Sequence, residues 1–368
     1  MHTFSRYLTL MALSAMSCAD QTPGGADPGD VGSGTLDKGA DLTLNRDKRT
    51  CANPSWEQIT PGPGRSLPDI QGIGSDTLFG LDSRAKILRG DGNGWTEETM
   101  PWAQSSNWRC LGTLWGSDLK NLYAVGREIA PGPPVDHGMP LDASMPPHTA
   151  SSQRALLIRR EASGWKEVQV PHMAGLASIW GFDAKNIFMV GRGSPATGGL
   201  IQMVRFDGAT FKTQPLGAGV MINAIWGTSP NNVYAVGDKG AVYHHDGSYW
   251  KAAPSPGDRD LLAIWGTGPN NIFAVGNGIH HFDGKTWTVH LGSTIKELTS
   301  VWGSGPNNVF VAGYGGIIKH YDGHEWSSMN IAKDQHIWTI WGRDKDTAYI
   351  SGGTNDHFSG YLLKLKCG

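Results

Sequence analysis

The sequence carries little charge, and neither sign dominates. Charged side chains make up 17% of the residues, and 31 basic groups are matched by 33 acidic ones, for a net charge of −2. A protein that binds nucleic acid through its phosphates needs a basic surface. The near-neutral balance argues against such a surface, and we predict no nucleic-acid partner.

Long apolar runs are also missing. The apolar run near the N-terminus, Tyr7–Met16, is too short for a membrane-spanning helix, which needs about 20 residues. It follows Arg6 and ends at small residues, which is the pattern of an export signal. Residues 1–18 are therefore predicted to be a signal peptide.

The end of this signal leaves two kinds of processing open. The sequence "AMSC" resembles a bacterial lipobox with Cys18 as the lipidated residue, whereas "SCA" would suit ordinary cleavage. We favour lipidation, although Ala15 stands where leucine is usual. Residues 19–50 have no aromatic side chain and are predicted to be a flexible tether. The protein is thus expected to be exported to the bacterial cell envelope, in the periplasm or on the outer surface, with a lipid anchor as its only membrane contact.

Helical periodicity is missing as well, and its absence excludes helical repeat folds. The chain is rich instead in glycine, with 51 residues, and in tryptophan, with 15. The sequence "IWGTGPNNIFAVG" from Ile264 recurs with variations along the chain. Seven copies are marked by a tryptophan, or by a glutamine in the first: Gln71, Trp115, Trp180, Trp226, Trp265, Trp302 and Trp341.

Each copy contains four short segments separated by Gly, Pro and Asn. In the fifth copy the first segment is Leu261–Gly266, and "NIFAVG", "IHHFDG" and "TWTVH" follow. Such segments are typical of strands, and four strands in about 40 residues indicate a propeller blade. The predicted fold is all-β, a seven-bladed β-propeller of four-stranded antiparallel blades over residues 51–368.

The two ends of this region predict how the ring closes. The seventh copy stops after its third strand, and the missing fourth strand is found in "CANPSWEQI" at the N-terminal end. Pairing these segments completes the last blade and removes two exposed edges. Cys51 and Cys367 then become neighbours, which predicts a disulfide in an oxidising compartment. The rival pairing of Cys51 with Cys110 has no such positional basis, and Cys110 is expected to be a buried thiol.

The repeated "IWG…NNIFAVG…FDG…W" units resemble the W-G repeats of bacterial envelope propeller lipoproteins, most of which are uncharacterised. More distantly, they are similar to WD40-like and Asp-box propellers. The resemblance covers about residues 51–368 and implies the propeller fold. It implies no catalytic residue, because that family has no agreed one.

Residues that recur in every blade are predicted to be structural. His244, His281 and His320 occupy one position in three blades, and equivalent residues of different blades lie too far apart to share a metal ion. Asp-Gly pairs such as Asp283-Gly284 suit tight turns. We find no motif of a known enzyme class and predict no catalytic residue, cofactor or metal.

Residues that differ between blades are better candidates for function. In a propeller, the loops that lead from the fourth to the first strand and from the second to the third lie on one face around the central channel. A mixed set of charged and aromatic groups on this face could hold a polar ligand or a peptide. The candidate residues are Arg109, Arg127, Arg192, Asp238, Arg259, Asp260, Asn277, Lys296, Glu297, Tyr314, His336 and Trp338.

The largest departure from the repeat is an inserted loop at residues 127–154, which is expected over the same face. We predict an envelope-anchored, monomeric scaffold without catalytic activity, which binds an unknown protein or glycan partner. One alternative is a glycan hydrolase or lyase, which requires neighbouring carboxylates with perturbed pKa values in a central pocket. The other is a carbohydrate-binding, lectin-like propeller, which requires exposed aromatic residues that repeat around the ring.

Overall fold

The structure is a computed structural model that describes most of the predicted propeller. The described residues are 55–59, 65–74, 76–92, 94–102, 107–130, 153–217, 219–292, 297–329, 331, 335–354 and 360–366. Several predictions fall outside them: the signal peptide 1–18, the tether 19–50, and Cys18, Cys51, Lys296 and Cys367.

The strands form seven four-stranded antiparallel sheets, which confirms the predicted fold. Blade 1 consists of β2 (Asp69–Ile73), β3 (Thr77–Leu81), β4 (Ile87–Gly90) and β5 (Trp95–Glu97). Blade 2 consists of β6 (Trp108–Asp118), β7 (Asn121–Ile129), β8 (Gln153–Glu161) and β9 (Gly164–Glu167). Blade 3 consists of β10 (Met173–Gly181), β11 (Ile187–Gly193), β12 (Ile201–Phe206) and β13 (Phe211–Pro215).

The remaining blades follow the same order. Blade 4 consists of β14 (Ile222–Ser229), β15 (Asn232–Gly237), β16 (Val242–His245) and β17 (Trp250–Ala252). Blade 5 consists of β18 (Leu261–Gly268), β19 (Asn271–Gly276), β20 (Gly278–Phe282) and β21 (Trp287–Leu291). Blade 6 consists of β22 (Leu298–Gly305), β23 (Asn308–Gly313), β24 (Ile318–Tyr321) and β25 (Trp326–Ser328). Blade 7 consists of β26 (Gln335–Asp344), β27 (Thr347–Thr354), β28 (Gly360–Lys366) and β1 (Ser55–Gln58).

Helices contribute little to the described residues. Two single 3₁₀ turns, Pro195–Thr197 and Asp238–Gly240, are the helical elements among them. Within the part of the chain that the structure describes, no helix is long and apolar enough to cross a bilayer.

The ring closes between the two ends of the propeller, as predicted. Strand β1 pairs with β28, with Trp56 opposite Leu365, and so forms the outer strand of blade 7. Trp56 packs against the core of that blade. The first strands of neighbouring blades contact one another around the ring, and β2 contacts β26 across the seam. The closure therefore joins non-neighbouring parts of the sequence into one circular array.

Asp69 ties three blades together at this seam. Its carboxylate accepts a hydrogen bond from the Leu114 N–H of blade 2 at 2.7 Å and from the Ile70 N–H at 3.0 Å, and the Thr339 hydroxyl of blade 7 also bonds to it. Burial raises the pKa of Asp69 to about 7, against the lowering effect of these bonds. The seam thus contains a carboxyl group that titrates near neutral pH.

The tryptophan and glycine of the repeat together form the joint between blades. The tryptophan ring of one blade lies against the glycine of the next: a Cβ placed on Gly303 would lie 2.5 Å from Cη2 of Trp265. Gly181 and Trp115 form the same contact at 2.7 Å. Real Cβ atoms do not approach this closely, so glycine is required because the ring occupies the space.

Blade 1 departs from this joint because Gln71 replaces the tryptophan. A Cβ placed on Gly116, the corresponding glycine of blade 2, would lie 3.0 Å from Cδ1 of Ile73. The blade 1–2 joint is therefore filled by an aliphatic side chain, and the ring of Phe182 takes the corresponding place against Gly227 of blade 4.

The apolar cores lie between neighbouring blades. One buried cluster combines Phe188 and Val190 of blade 3 with Ile225 and Val233 of blade 4. Other clusters combine blades 1 with 2 and 4 with 5 in the same way. Burial of apolar side chains on both faces of each sheet stabilises the ring.

The repeated polar residues satisfy one another within each blade. Nε2 of His244, His281 and His320 lies 2.7, 2.7 and 2.6 Å from Oδ1 of the asparagine that begins the blade's second strand. Asp283 accepts the N–H groups of Lys285 and Thr286 at 2.8 and 2.7 Å, and Gly284 has a φ of 92°. These columns have the structural roles that were predicted for them.

Strands β7 and β8 extend beyond the pattern of the other blades. Arg127 pairs with Ala155, and Ile129 pairs with Gln153. Both ends of the predicted loop at 127–154 therefore belong to paired strands, and residues 131–152 lie outside the described part of the chain. The segment leaves the propeller from a β-hairpin stem.

Cys110 corrects one expectation. It is 2% exposed and disulfide-bonded, so it is not the free thiol that the repeat analysis predicted. The other three cysteines lie outside the described residues. Because Cys110 takes one of them, Cys51 can pair with Cys367 only if Cys110 pairs with Cys18, the predicted lipid site. The Cys51–Cys367 bond stays a prediction, and it competes with lipidation of Cys18.

Candidate functional site

Backbone hydrogen bonds place the two predicted sets of loops side by side. The N–H of Asp238 donates to the Met221 carbonyl at 3.1 Å, that of Asn277 to Asp260 at 3.3 Å, and that of Tyr314 to Glu297 at 3.0 Å. Each bond joins the loop after a blade's second strand to the segment before its first strand. We call the ring of these loops around the central channel the channel mouth.

The wall of the channel is formed by the free edge of each first strand, which carries a β-bulge in blades 2 to 7. The bulged residue is the third before the marker tryptophan. Side chains of this column reach across the edge: Asn223 Nδ2 donates to the Leu261 carbonyl at 2.9 Å, and Thr299 Oγ1 to the Ile337 carbonyl at 2.7 Å. The column differs in each of the six blades: Gly112, Ala177, Asn223, Leu262, Thr299 and Trp338.

This column was missed by sequence reasoning, except for Trp338. The signal was present in the aligned copies, because the column varies while the positions on either side stay apolar or small. A bulge re-aims the side chain that it inserts. Recognising the bulge would therefore have identified the channel wall.

Arg109 of blade 2 is part of a buried ion pair. Its Nη2 lies 2.5 Å from Oε2 of Glu128, and the two side chains are 7% and 5% exposed. Arg154 also bonds to Glu128, with Nε 2.9 Å from Oε1, and to Glu167. Burial opposes ionisation of Glu128, but the bonds from Asn107 and Arg154 and the charge of Arg109 hold its pKa below the usual value. Arg109 therefore balances an internal charge.

Arg127 and Arg192 occupy equivalent positions at the mouth. Each directly follows the second glycine of its repeat, Gly126 on β7 and Gly191 on β11. Arg127 is half-buried and Arg192 is exposed. Burial lowers the pKa of Arg127. Blades 2 and 3 thus form a cationic sector.

Two anionic residues of the mouth lie on blades 4 and 5, and a third, Glu297, precedes the first strand of blade 6. Asp238 accepts a hydrogen bond from Nδ2 of Asn223 at 2.9 Å, and Asp260 accepts one from the N–H of Lys239 at 2.8 Å. Burial raises the pKa of Asp238, the Asn223 bond lowers it, and the nearby charge of Asp260 raises it further. Asn277 is half-buried beside them, and Arg259 points to solvent.

Aromatic residues dominate the mouth on blades 6 and 7. The rings of Tyr314 and His336 meet edge to face with centroids 4.8 Å apart, and the Gly315 N–H donates to Nδ1 of His336 at 3.2 Å. Burial, together with the charge of Glu297, raises the pKa of Tyr314 to about 12. The buried Nε1 of Trp338 has no hydrogen-bond acceptor among the described residues.

The described mouth residues thus fall into a cationic, an anionic and an aromatic sector. Within the described residues, no group of three His, Cys, Asp or Glu side chains could hold a metal ion. The marker tryptophans Trp115, Trp226 and Trp302 are 5%, 4% and 9% exposed, so they do not form the repeated open surface that a lectin-like ring requires.

No protein-family model matches the sequence, and no curated protein does. Solved structures match in fold. YCF48 bound to D1 peptide aligns with a TM-score of 0.59 and 14% identity over 85% of this chain and 97% of that one. YCF48 from Cyanidioschyzon merolae aligns with a TM-score of 0.59 and 14% identity, over 84% of this chain and 98% of that one. The WD40 domain of Pan2 from Neurospora crassa aligns with a TM-score of 0.58 and 12% identity, over 84% of this chain and 95% of that one. The WD40 domain of Doa1 aligns with a TM-score of 0.56 and 9% identity, over 83% of this chain and 94% of that one.

At these identities the likeness concerns the fold alone. The chain shares its ring of four-stranded blades with WD40-type β-propellers, as the distant resemblance in the repeats implied, whereas membership of the W-G-repeat lipoprotein family stays a prediction. This chain is a seven-bladed β-propeller that is similar in fold to WD40-type propellers.

Proposed function

We propose that this protein is an envelope-anchored scaffold that binds a protein partner at the channel mouth and performs no catalysis. One observation carries the proposal: the residues that repeat in every blade bond to one another, whereas the variable residues collect at this single face. The scaffold columns, such as His281 with Asn271, are already satisfied. The mouth offers unlike sectors of charge and aromatic surface, which suits a chemically mixed partner such as a polypeptide.

The comparison with YCF48 supports a peptide or protein as the partner, because one solved propeller of this fold holds the D1 peptide. A propeller ring is a rigid platform, and loops on such platforms commonly carry binding residues. The glycan hydrolase and the lectin gain no comparable support from a described feature.

Site-specific crosslinking in the native host tests the proposal. A photoreactive amino acid at Asn277 stands at the mouth, and one at Lys285 stands at the solvent-exposed turn on the opposite face as a matched control. We expect a discrete protein adduct from position 277 and none from position 285. Adducts from position 285 alone, or none from 277, would contradict the proposed binding face.

The anchoring part of the proposal depends on Cys18. We expect the unchanged protein in the membrane fraction of the host and Cys18→Ser in the soluble fraction of the envelope. Equal distribution of the two proteins would show that Cys18 does not carry the anchor.

A further inference from the structure

One histidine below the channel mouth has no hydrogen-bond partner in the described part of the chain. His280 lies on the third strand of blade 5 and is 4% exposed, and both of its ring nitrogens are buried without a partner. The histidines of the repeat column differ, because each of them bonds to an asparagine. In the other blades the position of His280 holds Leu88, Ile158, Val204, Tyr243, Lys319 and Leu363. Blade 5 therefore buries a polar ring where blades 1, 2, 3 and 7 bury an aliphatic side chain.

The imidazole of His280 lies between blades 4 and 5. Side chains alternate along a strand, so His280 lies on the same face as Phe282, which belongs to the apolar cluster of blades 4 and 5. Its cross-strand neighbours are Ala274 and Val289. Nε2 lies 3.3 Å from where a Cβ on Gly278 would be, and this glycine begins the third strand at the mouth. His280 is therefore buried directly below the mouth.

A short segment of the mouth, residues 253–260, joins blade 4 to blade 5. Two hydrogen bonds tie it to blade 5: Nε1 of Trp287 donates to the Pro254 carbonyl at 2.9 Å, and the N–H of Asn277 donates to the Asp260 carbonyl at 3.3 Å. Five of its eight residues are exposed. Segments that bury little surface and are held by few bonds open locally at low cost. Residues 253–260 can therefore move without unfolding a blade.

The nearest charge favours the neutral form of His280. Burial lowers the pKa of His280, and the charge of Arg259, on the same segment, lowers it further. The other charged residues of the two adjoining mouth loops are Asp238, Lys239, Asp258 and Asp260. An imidazolium formed here would thus lie beside a guanidinium and away from solvent, which is costly.

Other titratable groups near this joint are bonded or face elsewhere. Blade 4 turns His244 and Lys251 towards blade 5, where the histidine bonds to an asparagine and the lysine to an aspartate. Tyr234 lies in the apolar cluster of the joint. His281 and His290 of blade 5 face blade 6. Among the described histidines, His280 is the one that is buried without a bond.

We propose that His280 is an acid sensor: protonation of its imidazole releases residues 253–260 from blade 5 and so rearranges the channel mouth at Arg259 and Asp260. An imidazolium needs water or an acceptor, and opening of the segment exposes it to water and separates it from Arg259. The inference rests on the proposed function, since it adds that acid regulates partner binding at the mouth. The other joints of the ring stay closed.

Hydrogen exchange of the purified protein, followed by mass spectrometry, measures the opening without any partner. The N–H groups of Lys239 and Asn277 both donate to Asp260, so peptides that contain them report on the segment. Between pH 7.5 and 5.5 their exchange, corrected for the intrinsic chemical rate, should become several-fold faster. The limit is about tenfold, because an exposed imidazole with a pKa of about 6.5 is protonated over this range whereas a buried one resists protonation. The equivalent N–H of Tyr314 in blade 6, which donates to Glu297, is the internal control and should show no such increase.

Three variants assign the increase to His280. His280→Leu gives blade 5 the residue that blades 1 and 7 have at this position, and it should abolish the increase. His324→Leu removes an exposed histidine of the opposite face and is the matched control, with the increase retained. Arg259→Gln removes the charge that opposes protonation, so the increase should begin at a higher pH.

Arg259 is exposed, so Arg259→Gln keeps the test valid if His280→Leu fails to fold. The sensor would be overturned by the same increase in His280→Leu as in the unchanged protein, by no increase in the unchanged protein, or by an Arg259→Gln variant whose increase does not move to higher pH. These results are distinguishable from failure of the proposed function, because the exchange needs no partner and crosslinking at Asn277 at pH 7.5 still identifies one. Regulation by acid further predicts a weaker crosslink from position 277 at pH 5.5 than at pH 7.5, and an equal yield would show that the opening does not control binding.

Discussion

At the residue scale, two glycines in each repeat are explained by what lies against them. In blades 1, 3, 5, 6 and 7 the glycine after the marker residue faces the tryptophan of the preceding blade. In blades 2 to 7 the second glycine of the repeat, on the second strand, faces a carbonyl of its own blade, as Gly276 faces Asp260. Neither position has room for a methyl group. These glycines are therefore required mainly because neighbouring atoms leave no room for a side chain, and less because of their conformational freedom.

Gly303→Ala should destabilise the fold by about 2 kcal/mol, because overpacking a tight core typically costs 1–3 kcal/mol. The new Cβ would lie 2.5 Å from Cη2 of Trp265 and 2.7 Å from the Asn308 carbonyl oxygen. Gly305→Ala, in the same strand, has nothing within 4 Å and serves as the control. Urea unfolding measures both, and equal stability of the two variants would show that the joint accommodates a side chain.

Sequence reasoning was weakest where a residue's partner lies on another element. The arginine at position 109 was a sensible candidate for ligand binding, because its column varies. Its pairing with Glu128 depends on strand register and burial, which the repeat pattern does not report. The disulfide at Cys110 was not expected either, because no position in the repeat indicated a partner for it.

At the element scale, blade boundaries followed the repeat closely. The first strand of blade 5, predicted as Leu261–Gly266, extends to Gly268, because the turn into β19 continues the pairing. The segment at 127–154 was predicted as loop throughout, although its ends pair as strands. A departure from a repeat shows where new structure begins but not whether it is paired.

Histidines of the second half of the ring should make the fold acid-sensitive. Burial lowers the pKa of six of them: His244, His245, His280, His281, His290 and His320. The folded state therefore binds fewer protons than the unfolded state near pH 6.5, so the free energy of unfolding should fall as the pH drops below that value. Asp69, with a pKa raised to about 7, and Asp238, whose pKa is raised by burial, act in the opposite direction as the pH falls towards about 4. The contribution of a histidine is therefore measured by comparing a histidine variant with the unchanged protein.

Urea titrations at pH 7.5, 6.5 and 5.5 measure this dependence. His280→Leu is the informative variant, because neither ring nitrogen of His280 has a hydrogen-bond partner among the described residues. The variant removes a titrating group without removing a described bond, so its stability should fall less steeply with acid. The same dependence of the free energy of unfolding on pH in the variant and in the unchanged protein would refute the assignment.

At the scale of the whole molecule, both the number of blades and the closure were predictable. Seven marker residues and a missing fourth strand specify a ring that borrows its last strand from the N-terminal side, and the pairing of β1 with β28 confirms it. The chemistry at the mouth was not predictable, because it depends on which variable side chains remain without a partner after folding.

Trp56→Ala should weaken the closure and lower the free energy of unfolding by about 3 kcal/mol, the lower end of values for loss of a core aromatic side chain. Trp56 is half-buried against the blade 7 core. Gln58→Ala, an exposed position on the same short strand, should change stability by less than about 0.5 kcal/mol. If the two variants are equally stable, the outer strand does not hold the ring together.

The joint between blades also determines which blades can exchange places. Blades 5 and 6 each present a tryptophan to the next blade and a glycine to the tryptophan of the one before, so either of them completes the same two contacts. Copies of such a unit can be duplicated or shuffled along a gene without disturbing their neighbours, and each rearrangement brings a different set of mouth residues together. The joints of blade 1 with blade 2 and of blade 3 with blade 4 are different, because Ile73 lies against Gly116 and Phe182 against Gly227. The ring therefore combines interchangeable units with two joints of their own kind, and new binding surfaces can arise by rearranging the interchangeable blades on an unchanged framework.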